Sequence, residues 1–228
     1  MLAKREIVLD TETTGLDPGS GHRIVEIGCL ELINHLPTGQ SYQCYLNPER
    51  DMPQEAYRVH GLSTEFLAKH KLFADIVEEL LNFLEDSPLI IHNAGFDLGF
   101  LNAELAYLER QPLDPGRAID TVLIARQKFP GAQASLDALC RRFNIDNSAR
   151  TKHGALLDAE LLAEVYLELI GARQTSLALS AAEATQAGSE RVSSLRETRA
   201  ARPHAPSEEE IAAHTAFVDR LEDPIWRK

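Results

Sequence analysis

The stretch Ile7-Val8-Leu9-Asp10-Thr11-Glu12 constrains the chain most. Three consecutive apolar residues leave no polar face, so a strand built on them is covered on both sides and sits centrally in its sheet. Two acids then follow at a spacing of two, which places both carboxylates on one face of an extended strand. Like charges held that close raise each other's pKa or take a cation between them. Oxygen-only ligation suits Mg2+ or Mn2+ better than Zn2+. Taken alone, the pair also reads as a strand running into a turn at Asp17-Pro18-Gly19, which is ordinary turn chemistry.

The rest of the first 171 residues supplies partners for such a strand. Residues 23–33 and 41–46 read as two more strands, joined by short connections in an antiparallel meander. After a loop, Phe73, Ile76, Val77, Leu80, Leu81 and Leu84 recur at helical spacing over residues 73–85. Residues 88–91 are a short buried strand, 96–109 a helix, and 117–120 a strand leading into a helix at 121–129. Further helices are expected at 135–143 and 154–170. A meander followed by alternating strands and helices implies an α/β fold: a mixed five-stranded sheet flanked by helices on both faces.

Two more acids stand out. Asp97 follows the buried strand at Ile91-His92-Asn93, in the first turn of the next helix. The carboxyl ends of such strands are where ligands bind in open α/β sheets, although a helix N-terminus also favours an acid on its own account. Asp158 shares a stripe with Leu161, Leu162, Val165 and Leu169, whereas Glu160, Glu164 and Glu168 fall largely on the opposite side. A carboxylate facing a core requires a cation or several donors. His153 precedes this helix and has the pKa range of a general base. Four carboxylates and a histidine at one sheet edge fit a pair of divalent ions that activate water for phosphodiester hydrolysis. No GxxxxGK[ST] loop is present, which excludes a P-loop NTPase.

The formal net charge of -12 argues against a protein that grips long nucleic acid by its backbone, but not against one that clamps a short end through metal ions. The excess lies in residues 1–171, which carry 15 basic and 26 acidic side chains. Three cysteines without CxxC spacing, and the lack of a signal peptide or a long apolar run, imply a reduced cytoplasmic setting and no membrane partner.

Asp10-Thr11-Glu12-Thr13-Thr14-Gly15, His92-Asn93-Ala94-Gly95-Phe96-Asp97 and His153-Gly154-Ala155-Leu156-Leu157-Asp158 resemble the three motifs of the DEDDh 3′→5′ exonucleases. Val59-His60-Gly61-Leu62, Phe129-Pro130-Gly131 and Ser135-Leu136-Asp137-Ala138-Leu139-Cys140 are similar, more narrowly, to the epsilon proofreading subunits of bacterial DNA polymerase III. The resemblance implies a ribonuclease H-like domain over residues 1–171 and two Mg2+ or Mn2+ ions on Asp10, Glu12, Asp97 and Asp158. It implies His153 as catalytic base, and contacts from Asp10, Glu12, Glu55, His60 and Asp158 to the 3′ end of single-stranded or frayed DNA. Two other functions share parts of this pattern: a free-standing DEDDh ribonuclease that trims short RNA, and a non-catalytic tether between polymerase and clamp.

From Leu167 to Ala216 there is no aromatic residue, and residues 172–206 read as a flexible linker. Order returns with the capping box at Ser207-Glu208-Glu209-Glu210, ahead of Ile211, Phe217 and the terminal Trp226. A helix this short has no core of its own, so residues 207–228 read as a partner anchor, or as a segment folded back on its own domain. By resemblance, Gln174, Leu177 and Leu179 lie in a sliding-clamp-binding peptide at 174–179. Ile211, Phe217 and Trp226 lie in a segment that docks on the polymerase catalytic subunit. The same resemblance leaves room for a small accessory subunit on the exonuclease domain.

Overall fold

The computed structural model describes residues 4–148, 152–172 and 205–220. The chain divides into two units, 1–176 and 177–228. In the first, five strands form one sheet of order β3-β2-β1-β4-β5. They are β1 (Arg5–Thr13), β2 (Ile24–Ile33), β3 (Leu36–Tyr45), β4 (Leu89–Ile91) and β5 (Ala118–Asp120). The first three form an antiparallel meander; β1 then pairs in parallel with β4, and β4 with β5. β1 is therefore the central strand, and Ile7, Val8 and Leu9 are fully buried.

The two faces of β1 enter different cores. Ile7 and Leu9 pack with the apolar stripes of α3 (Phe73–Leu84) and α4 (Ala94–Tyr107). Val8 packs with α5 (Thr121–Lys128), α6 (Leu136–Phe143) and α7 (Ala155–Ile170). The alternation that separates Val8 from Ile7 and Leu9 puts Glu6, Asp10 and Glu12 on the α7 side. Helices thus cover both faces, as the strand pattern implies. Cys29 and Cys140 are buried and Cys44 is half-buried, all as free thiols. No helix among the described residues is long and apolar enough to cross a membrane.

Two stretches differ from the sequence expectation. The third strand begins at Leu36, not at residue 41. Asn34 and His35 both take positive φ, 52° and 68°, as a two-residue hairpin requires, and Ile33 pairs directly with Leu36. β3 is an edge strand, where Pro37 costs no ladder hydrogen bond and exposed residues hide the alternation. The loop expected between residues 47 and 72 contains α1 (Gln54–His60) and α2 (Thr64–Leu67). α1 buries only His60 and α2 only Leu67, so neither leaves an amphipathic signature. Residues 205–220 carry the helix α8 (Glu208–Val218), capped by Ser207 and Glu210 in a reciprocal capping box. Gln174, Leu177, Leu179 and Trp226 lie outside the described residues.

Candidate active site

The end of β1 is where the acids meet. Asp10 is opposite Gly28 on β2, and Glu12 is opposite Glu26, just before a register shift at Thr13. Glu12 is 8% exposed, Asp97 3% and Asp158 3%. Asp10, Glu12, Asp97, His153 and Asp158 line one cavity of about 320 Å³, together with Asp137, and no Lys or Arg lines it. Within it, ligand atoms of Glu12, His153 and Asp158 all lie within 4.8 Å of one another, the spacing of a shared ion.

The set is assembled from both layers of the fold. Asp158 and His153 come from the α7 side, with Asp158 in the first turn of α7 and its N–H donating to the Gly154 carbonyl at 2.9 Å. Asp97 comes from α4 on the other face, and the Thr11 hydroxyl donates to its Oδ1 at 2.7 Å. Thr11 points away from Asp10 and Glu12 by strand alternation, so the carboxylates wrap around the end of β1. Burial pushes the Asp97 carboxyl up to about 7, a rise opposed by the Thr11 hydroxyl and reinforced by Asp120 nearby.

Local structure fixes each position. Asn93 adopts a left-handed φ of 70° between β4 and α4, which turns the chain sharply and sets Asp97 in the first helical turn. Asp120, at the end of β5, accepts from the Asn93, Ala94 and Val122 N–H groups at 3.3, 3.2 and 2.8 Å and clamps that turn. His92 Nδ1 lies 2.9 Å from the Thr121 hydroxyl. His153 donates its backbone N–H to the Val59 carbonyl at 3.2 Å, tying the approach to α7 to α1. Its Nδ1 lies 3.4 Å from Asp158 Oδ2, and its side chain is 45% exposed.

Sequence reasoning passed over two residues that seat α7. Gly28 lies beneath the first turn of α7, and any Cβ there would collide with the Ala155–Leu156 peptide. Glu26, only 2% exposed, accepts from Gln43 Nε2 at 2.8 Å and from the Ala155 N–H. The N-cap residue Gly154 makes no side-chain cap, so Glu26 caps the helix from the neighbouring strand. Burial raises the Glu26 carboxyl, while the donors from Gln43 and Ala155 hold it down. The signal was present: an acid inside Ile24-Val25-Glu26-Ile27 asks for donors as Asp158 does.

A second cavity, about 480 Å³, opens on the other side of Glu12. Glu55 and His60 line it, with Leu16, Val59 and Phe96 supplying apolar surface. His60 Nδ1 accepts from the Leu62 N–H at 3.1 Å, and burial holds its pKa below the usual histidine range. Ile211 and Phe217 are 51% and 58% exposed on α8.

Residues 7–166 match the family model of the RNase_T exonucleases. The DNA polymerase III subunit epsilon of Rickettsia felis is 50% identical over 226 residues, covering 97% of this chain and 98% of that protein. The subunit of the same name from Escherichia coli K12 is 42% identical over 237 residues, covering 98% and 97%. Among solved structures, the nuclease domain of 3′hExo, a DEDDh family member bound to rAMP, superposes with a TM-score of 0.65 at 18% identity, over 75% of this chain and 94% of that one. Exonuclease X in complex with 5′ overhanging duplex DNA superposes at 0.55 and 23% identity, over 73% and 91%. Those two likenesses are of fold, a mixed five-stranded sheet with flanking helices, whereas the sequence relatives match nearly end to end. The chain therefore belongs to the RNase_T exonuclease family and, within it, to the DNA polymerase III epsilon subunits.

Proposed function

We propose that this proofreading 3′→5′ exonuclease hydrolyses mispaired 3′-terminal nucleotides to 5′-monophosphates using Asp10, Glu12, Asp97 and Asp158 as ligands for two Mg2+ or Mn2+ ions and His153 as general base. One observation carries the reading: the four carboxylates and the histidine line a single cavity that has no Lys or Arg in its lining. Acids gathered in a lining without Lys or Arg, one of them with its carboxyl raised to about 7, fit hard divalent ions. Family membership supports the same class of cofactor. When bound, such ions supply Lewis-acid stabilisation of charge on the phosphoryl oxygens.

The chain's own groups do the rest. His153 turns Nδ1 to Asp158, so Nε2 takes the proton of the attacking water, a contribution of roughly 10²–10⁴-fold. Asp158 orients that ring. Glu12 borders both cavities and contacts the terminal 3′-hydroxyl, with Glu55 and His60 against the terminal nucleotide. A frayed end is preferred because its last nucleotides are already unstacked.

The tail is assigned by the same reading. Residues 1–171 form the exonuclease domain, 172–206 a flexible linker with a clamp-binding peptide at 174–179, and 207–228 a segment that docks on the polymerase III catalytic subunit. Ile211, Phe217 and Trp226 are its apolar anchors; exposure of the first two supports that role. The assembly works in the cytoplasm.

The test is release of nucleotide from primers with a paired or a mispaired 3′ end, in Mg2+ or Mn2+, by the full chain with and without the catalytic subunit. Faster release of 5′-monophosphate from the mispaired end is expected. Equal rates on both ends would overturn the preference, and no release with either metal would overturn the chemistry. Deleting residues 207–228 should abolish co-purification with the catalytic subunit; retained association would refute the anchor.

A further inference from the structure

A third groove, about 570 Å³, adjoins the catalytic cavity, and Asp137 and His153 line both. Arg58, Arg141 and Lys152 stand around it, all three exposed. They arrive from separate places: Arg58 from α1, Arg141 from α6 and Lys152 from the turn before α7. Three cations around one groove run against the rest of the domain, where acids outnumber bases by 26 to 15 over residues 1–171. Asp137 is the acid in that lining, so the three cations leave the groove with an excess of positive charge that favours a further anion.

Neither Arg58 nor Arg141 forms an ion pair among the described residues, so their charge is not consumed within the fold. Lys152 is held in place by packing. Its ammonium lies 5.2 Å from the centre of the Tyr57 ring, and its stem crosses Gly61, where an added Cβ would collide with it. Gly61 also takes a φ of 76°, which a residue with a Cβ rarely adopts.

The two exits from the catalytic cavity therefore differ in charge. The side past Glu12 leads to Glu55 and His60, with no Lys or Arg in its lining. The side past His153 leads to the three cations. A strand whose 3′-terminal nucleoside occupies the first side must carry its upstream phosphates elsewhere, and charge complementarity selects the second.

We propose that Arg58, Arg141 and Lys152 form a phosphate track that holds the single-stranded backbone upstream of the scissile bond. The assignment rests on the exonuclease reading above. It also gives the bound strand a direction: terminal nucleoside toward Glu55 and His60, upstream backbone past His153. Contacts to phosphate carry no sequence information, which suits an enzyme that removes any mispaired nucleotide.

The test is steady-state hydrolysis of a single-stranded oligothymidylate by the full chain in Mn2+ across a range of salt. Each phosphate contact on a single strand adds about 0.7 to the slope of log affinity against log salt. The Arg58→Ala/Arg141→Ala double variant should lower that slope, read from KM, by about 1.4 and raise KM roughly tenfold at low salt. The Arg58→Lys/Arg141→Lys variant keeps both charges and should keep the slope. A rise in KM with the slope unchanged would overturn the track, as would a Lys variant that behaves like the Ala variant. Unchanged KM and slope in the Ala variant would also overturn it. Failure of the unmodified chain to cleave the oligonucleotide would sink the exonuclease reading and is read separately from any of these.

Discussion

The two ends of β1 bury carboxylates on the same face and treat them in opposite ways. At the start, Glu6 is fully buried, yet Lys4 Nζ and His35 Nδ1 each lie 2.6 Å from its oxygens. The Tyr166 hydroxyl donates to it as well, at 3.2 Å. At the other end, Asp10 and Glu12 meet Asp97, Asp137 and Asp158 in a cavity lined by no Lys or Arg. α7 serves both ends, with Tyr166 at one and Asp158 at the other. A buried acid is therefore not in itself a site. The first end sets a lysine, a histidine and a tyrosine hydroxyl around its acid; the second gathers several acids in a lining without Lys or Arg.

The largest effect expected from breaking this contrast is at the second end. Asp158→Asn or Glu12→Gln should cut turnover by more than about 10³-fold, since several kcal/mol of charge stabilisation at the phosphoryl group depend on the ions. The same substitutions should abolish the rise in melting temperature that Mn2+ gives the unmodified chain. Saturation at about 100 times the dissociation constant is worth roughly 2.7 kcal/mol. An unaltered Mn2+ response in both variants would remove these residues from the metal site.

His153→Ala comes next, with kcat down by about 10²–10⁴-fold and the Mn2+ stabilisation largely retained. Unchanged kcat would end its role as base. Glu6→Gln should do the reverse of Asp158→Asn: stability falls by about 1–3 kcal/mol in urea titration while turnover and the Mn2+ response persist. Loss of turnover in a folded Glu6→Gln protein would erase the distinction between the two ends. The smallest effect is at Glu26, where Ala removes the acceptor that caps α7 and costs about 0.5–2 kcal/mol, and Gln retains an acceptor and costs less. Equal losses in both would mean that charge, and not capping, is what Glu26 supplies.

How much of this was legible beforehand follows from range in sequence. Ile7-Val8-Leu9 announces a central strand because a run with no polar face is covered on both sides. Asp158 announces itself because one α-helical stripe carries it with Leu161, Leu162 and Val165, and the structure buries all four. α1 and α2 gave no such signal, since each buries a single residue. The early start of β3 was hidden by the exposure of an edge strand. Gly28 reads as one more small residue until α7 is laid across it.

By itself, the sequence determined the order of the elements, the mixed sheet with helices on both faces, and the three acidic motifs with their histidine. These depend on local periodicity and spacing, which a single chain displays. The tertiary structure alone decided that Asp97 approaches from the opposite layer to Asp158, that Glu26 caps a helix from a neighbouring strand, and that Glu6 accepts a hydrogen bond from a tyrosine 160 positions away. It also gathered Arg58, Arg141 and Lys152 around one groove. Charge is felt through space, and only folding sets which charges are near.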